Sequence, residues 1–416
     1  MQQVAKALLV VIAVGIMAAC GKGSGSGGQT DSYVPPHPDA SMYAAPPPMQ
    51  TENPSLSVPS AGAEVRVGFL VPQSGASAQM GQALLDAGML ALFDKYSTMP
   101  AEEVRAQVVL IPKDTEGTPK GAAKAAHEAI EEGARLLIGP LFSDGVMAAA
   151  PVAAQAGVPI ITFSNNREVA EKGVFLFGFM PEQQVERVLE EAFVQHKARV
   201  GALLPANAYG HMVADTVRKM TALYNKPLVG IEFYQPGTEN MDNEIQRLTG
   251  GRIAADGKPP LDVLLLAEGG QRLQKILARL ATFGVTNGTV KLAGTGVWDD
   301  PETATTPEAA GGWFASSPLK SYRGFEQRFK HNYGYLPPRL ASLAYDAVAL
   351  AATLAQSPSG PDFSLTALTD PSGYSGPANG IFRLGMDGIC TRGLAVLEVG
   401  RGDFREIAPA PRSFTP

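Results

Sequence analysis

Arg66-Val67-Gly68-Phe69-Leu70-Val71-Pro72 returns 133 residues later as Arg199-Val200-Gly201-Ala202-Leu203-Leu204-Pro205. Around each copy the same order of segments follows. After VRVGFLVP (65–72) comes AQMGQALLDAGMLALFDKY (78–96), with apolar residues at helical spacing. VVLIPKD (108–114), the Ala-rich stretch 121–134, LLIGPLFSDG (136–145) and VPIITFSN (158–165) complete the first series. In the second, VGIEFYQPGTEN (229–240) answers VVLIPKDTEG, DVLLLAEGGQR (262–272) answers RLLIGPLFSDG, and VKLAGTGVW (290–298) answers VPIITFSNN. Nearly continuous apolar strands alternating with helices indicate a parallel sheet covered on both faces. Written twice, the pattern predicts an α/β protein of two doubly wound parallel-sheet lobes, the product of an internal duplication. Ligands of such sheets collect outside the carboxyl ends of the strands, where helix N-termini offer free N–H groups. Two lobes facing each other by those ends would enclose a cleft and close on it by a hinge.

Composition narrows the function. The chain has 416 residues, 45% of them hydrophobic, which fits about two globular domains. Against 34 Lys and Arg stand 40 Asp and Glu, a net charge of −6, with no basic run, so a nucleic-acid partner has no electrostatic footing. Cys20 and Cys390 alone cannot build a disulfide scaffold or a thiolate zinc cage, and the five histidines are scattered. No metal or other cofactor is expected. Ser317-Pro318-Leu319-Lys320 matches the S-x-x-K of serine hydrolases, but the accompanying K-T-G is missing. No base and nucleophile are paired in view, and an enzyme is not expected.

The amino terminus reads as an address. Lys6, an apolar run from Ala7 to Met17 and Ala18-Ala19-Cys20-Gly21 make a secretory signal over 1–19. The exit site resembles the lipobox of bacterial lipoproteins, with Met17 where Leu is usual. The resemblance implies acylation of Cys20, a protein held on the membrane only by lipid, and an outer-membrane destination in a two-membrane host. Residues 20–63 then form a Gly/Ser- and Pro-rich tether.

From 64 to about 407 the chain resembles the leucine/isoleucine/valine-binding family of periplasmic receptors. The likeness rests on VGFLVPQSGASAQMGQALLDAG, IGPLFSDG, GVPIITFSNN, Asn207-Ala208-Tyr209-Gly210 and Leu343-Ala344-Tyr345-Asp346-Ala347-Val348. It implies three crossings between lobes, near Met180-Pro181, Ala315-Ser316 and Leu384-Gly385. Lobe I would hold 64–180 plus 315–384, and lobe II 181–314 plus 385–410, with 389–398 and 403–407 as its last strands. Carried over by position, Ser143 would receive a ligand carboxylate at a helix N-terminus. Ser164, Asn165 and Asn166 would line the ligand, Asn166 standing where the family has threonine. Met80 would form a wall, Tyr209 would close over the ligand from lobe II, Glu182 would pair with a ligand ammonium, and Trp298 would stack on it. Asp144 would oppose a ligand carboxylate unless turned aside. The resemblance implies a non-enzymatic binding protein for a small polar, amino-acid-like ligand, passed to an ABC-type permease. The chain also looks like lipid-anchored activators of peptidoglycan-building penicillin-binding proteins, and the long tether suits reaching such a partner.

Overall fold

The computed structural model describes residues 63–238, 240–250 and 259–414. The signal segment, Cys20 and nearly all of the tether lie outside the described residues.

Strands β1 (Ala63–Val71), β2 (Ala106–Asp114), β3 (Leu137–Ile138), β4 (Ile160–Thr162) and β5 (Val174–Leu176) form one sheet in the order β2-β1-β3-β4-β5. Every pairing in it is parallel. Helices α1 (Ala78–Ser97), α2 (Pro119–Glu131) and α3 (Ser143–Ala156) alternate with these strands. Helix α4 (Pro181–Val194) then carries the chain to β6 (Val200–Pro205). Next come α5 (Ala208–Leu223), β7 (Leu228–Tyr234), α6 (Asp242–Thr249), β8 (Val263–Leu266), α7 (Gly270–Thr282), β9 (Lys291–Gly294), α8 (Pro301–Thr305) and β10 (Trp313–Ser316). These strands lie in the order β7-β6-β8-β9-β10, the order of the first sheet repeated. The two copies of the Arg-Val-Gly pattern therefore occupy the same place in two sheets, as the duplicated sequence predicts.

A small steric detail matches as well. In each copy a proline at or just after the strand's end has its carbonyl pressed against a helical glycine. A Cβ on Gly81 would lie 1.7 Å from the Pro72 oxygen, and one on Gly210 would lie 1.9 Å from the Pro205 oxygen. Only a residue without a side chain fits either place.

The chain then returns. Helices α9 (Leu319–Tyr333) and α10 (Ala341–Leu354) bury Phe325, Phe329, Leu343 and Val348 in the core that covers one face of the first sheet. After α11 (Leu365–Leu368), strands β11 (Tyr374–Gly376), β12 (Gly380–Leu384) and β13 (Cys390–Arg392) make a small antiparallel sheet. Finally β14 (Ala395–Val399) and β15 (Phe404–Ala408) extend the second sheet, β14 pairing antiparallel with β10. The expectation of one strand over 389–398 is therefore modified: the run is split between two sheets. Gly393 sits at the break, its N–H on the Ile381 carbonyl at 2.9 Å, where a Cβ would meet Ile381 Cγ1 at 2.6 Å. Cys390 is buried in the core of the first lobe, and burial pushes its thiol pKa up, as expected for a small apolar group. No helix among the described residues is long and apolar enough to cross a membrane.

Candidate functional site

The carboxyl ends of both sheets come together at the crossings. Within the second lobe, Gln184, in the first turn of α4, accepts a hydrogen bond from Gly296 N, just beyond β9, at 2.8 Å. Arg339, at the mouth of α10, reaches Asp299 of the second lobe at 3.0 Å.

On the first lobe, β3 runs through residues 139–142 into α3. Phe142 is the cap residue in extended conformation and lends no side-chain cap. Ser143 is the first helical residue and is buried. A hydroxyl beside the open N–H groups of a helix start suits an anion. Asp144 is turned onto its own helix, its Oδ1 accepting from Gly145 N at 2.8 Å. That places its carboxylate on the backbone while leaving a negative charge beside the seat.

Ser164, Asn165 and Asn166 follow β4 and hold their own loop together. Thr162 Oγ1 donates to the Pro140 carbonyl at 2.7 Å and accepts from Ser164 N at 3.1 Å. Ser164 Oγ accepts from Asn166 N at 3.2 Å, and Asn166 Oδ1 caps a short turn by accepting from Glu168 N at 3.1 Å. Asn165 Nδ2 donates to the Phe179 carbonyl at 3.4 Å. Met80, in the first turn of α1, is partly buried against the first-lobe core.

Glu182 stands at the start of α4, where a carboxylate is favoured by the helix dipole. Arg167 Nε donates to its Oε1 at 2.8 Å. Its Oε2 is buried without a hydrogen-bond partner among the described residues. Half of this carboxylate is thus committed and half is left over.

The second lobe is arranged differently. Asn207 caps α5, accepting from Gly210 N at 2.9 Å, and the buried Tyr209 brings its hydroxyl to Thr295 Oγ1 at 2.6 Å. Trp298 lies wholly inside the core with Leu266, Leu292 and Phe314. Gly294 and Gly312 make room for it, since Cβ atoms there would lie 2.3 and 2.6 Å from the ring. In this conformation Trp298 offers no face for stacking. Ser143, Glu182 and the loop 164–166 belong to the strand ends and crossings, whereas Trp298 is drawn into packing.

Several polar groups at these strand ends went unread in the sequence. Gln184 finds its partner Gly296 112 residues away, and Arg339 finds Asp299 at a separation of 40. Glu268, just after β8, accepts from Tyr234 at 2.5 Å, and burial pushes its carboxyl pKa up. An acid directly behind an apolar strand, in LLLAEGG, was the one readable sign of it. Two surface hollows, one edged by Phe193 and Tyr224 and one by Leu277 and Pro307, sit toward the amino ends of the second-sheet strands, away from these groups.

A family model described as periplasmic binding protein matches residues 64–403. The chain belongs to the periplasmic binding protein family. A branched chain amino acid ABC transporter periplasmic ligand-binding protein from Burkholderia xenovorans LB400 shares the fold with a TM-score of 0.69 and 16% identity, over 85% of this chain and 97% of that one. A solute binding protein of an ABC transporter from R. palustris, solved in complex with benzoate, gives a TM-score of 0.57 and 19% identity, over 84% of this chain and 98% of that one. A curated relative, an uncharacterized protein of Rickettsia prowazekii (strain Madrid E), is 24% identical over 186 residues, 45% of this chain. The match spans about half of that relative, 47% of its length. Two parallel sheets covered by helices are what this periplasmic binding protein has in common with the solved folds.

Proposed function

We propose that this periplasmic binding protein is a lipid-anchored, non-enzymatic receptor that closes its lobes on a small polar, amino-acid-like ligand for ABC-type uptake or sensing. The observation that carries the reading is the half-used carboxylate of Glu182, with a buried oxygen lacking a partner, at a crossing between lobes that also present Ser143 at a helix start. A buried oxygen left without a donor costs free energy that a ligand ammonium would recover. Ser143 and the α3 N–H groups would take the ligand carboxylate, a group common to branched-chain amino acids and benzoate. Ser164, Asn165, Asn166 and Met80 would shape the wall, and Tyr209 would act from behind Thr295. The closing bodies would be 64–180 with 317–384, and 181–316 with 385–410 apart from β13, because β10 keeps 315 and 316 in the second sheet. Acylated Cys20 would hold the protein in the periplasm, on the outer membrane in a two-membrane host.

Calorimetry and thermal unfolding with a panel of amino acids and aromatic acids test this. A ligand at a hundred times its dissociation constant adds about 2.7 kcal/mol of stability. Ser143→Ala should weaken binding of a carboxylate ligand about tenfold or more, as for loss of a hydrogen bond to a charged group. A panel in which nothing shifts the transition sinks the receptor reading.

One observation favours a second reading, an outer-membrane-tethered activator of a peptidoglycan-synthesising penicillin-binding protein. Tyr209 and Thr295 of the second lobe are engaged with each other and Asp299 with the first lobe, so these three groups are not turned to a solute. Capture of such a synthase by the purified chain, with no solute response, would select it.

A further inference from the structure

The three crossings enclose a polar chain that runs from the first lobe into the second. It begins at Asp346 on α10, fully buried, whose carboxylate accepts from Ala378 N at 2.8 Å, Asn379 N at 2.9 Å and Asn379 Nδ2 at 2.8 Å. Asn379, also fully buried, donates its other amide hydrogen to the Ser342 carbonyl at 3.0 Å. Its Oδ1 accepts from Ser317 Oγ at 2.9 Å, Ser342 Oγ at 3.1 Å and Arg339 Nη1 at 2.9 Å. Both ends of the amide are therefore spent, and Asn379 is a fixed point.

Arg339 hangs from that point. Its Nη1 also reaches Ser342 Oγ at 2.8 Å, and its guanidinium lies between the rings of Tyr322 at 3.9 Å and Phe179 at 4.7 Å. What remains of its fork faces the second lobe. Nε donates to Asp299 Oδ2 at 3.0 Å and Nη2 to Ser316 Oγ at 3.4 Å, while Ser316 Oγ donates to the same Asp299 oxygen at 2.5 Å. The side chains of Arg339 and Asp299 are 20% and 11% exposed, so the pair is little screened.

We propose that Arg339 is the positioning residue of lobe closure: a guanidinium fixed to the first lobe by Asn379 and two aromatic rings, which latches onto Asp299 and Ser316 of the second. The two halves of its environment differ in kind. Asn379, Ser342 and the rings travel with the first-lobe core, whereas Asp299 and Ser316 travel with the second sheet. A hinge opening separates only the second set, and the prepared fork is ready when the lobe returns. The latch stands whether or not the cleft takes a small molecule.

Förster transfer between dyes on Met147→Cys and Leu223→Cys, positions 58% and 69% exposed on opposite lobes, reads the closure angle in the full chain. Asp299→Ala and Arg339→Gln should each raise the open-to-closed ratio roughly tenfold, and the double variant should open no further than either single one. Arg339→Lys, which keeps the charge without the fork, should recover only part of the closed population. Unchanged transfer in both single variants, additive effects in the double, or full recovery by lysine would each overturn the proposal. Circular dichroism on every variant separates an opened molecule from an unfolded one, and Ser316→Ala supplies a milder break if Asp299→Ala does not fold.

Discussion

The two lobes repeat one strand order but treat the ends of their strands in opposite ways. The first lobe leaves Ser143 at a helix start without a side-chain cap. The second ties Tyr209 to Thr295 and buries Trp298 against two glycines. One scaffold thus carries an uncapped helix start at one rim and a packed tyrosine and tryptophan at the other. Repetition of a fold fixes where a site can be built, and the local side chains decide on which half it is built.

The sharpest way to break this contrast is Trp298→Ala. If the ring is packing, its removal should cost about 3–5 kcal/mol, read as a lower denaturant midpoint, with ligand affinity of the remaining folded protein unchanged. A variant of normal stability with weakened binding would return Trp298 to the cleft.

The next effect belongs to the first lobe and depends on pH. Burial raises the Asp346 carboxyl to about 6, against hydrogen bonds from residues 378 and 379 and the nearby Arg392 charge, all of which pull it down. The unfolded chain releases that proton near pH 4. Between these values the folded state binds more protons, so this group's contribution to stability falls as pH rises from about 4 to about 6. Urea midpoints of the wild type minus those of Asp346→Asn should decline across that window. A flat difference would show that Asp346 does not titrate there.

A smaller change tests the filled rim directly. Tyr209→Phe removes the hydroxyl from Thr295 and should cost about 1 kcal/mol while sparing affinity for a solute. Loss of affinity without loss of stability would place the tyrosine on the ligand after all. Smallest of all, Arg167→Ala should change stability by less than about 1 kcal/mol, because Arg167 is 54% exposed and its pair with Glu182 is screened. Chemical unfolding would register it, and a large loss would mean that Glu182 cannot stand alone.

Fold was more legible in the chain than site. The succession of strands and helices, and its repetition from the Arg-Val-Gly run, could be read because periodicity and turn residues are local signals. The division of 389–398 was hidden because it depends on Gly393 meeting Ile381 from another strand. Trp298 looked like a ligand platform because it ends a strand, and nothing nearby in sequence reveals that Gly312 clears space for its ring. Asn379 and Arg339 were invisible for a similar reason. Their meaning lies in partners from four separate segments, and no spacing rule links those segments.

The place where the described residues begin has a mechanical result. Ala63 opens β1, a strand flanked by β2 and β3, with nine residues in register along β2. Tension arriving along the polypeptide from its amino-terminal side would load those bonds together, in shear, instead of peeling them one by one. The force would stop in the first sheet, leaving the other half of the molecule slack and able to swing even while the protein is pulled taut.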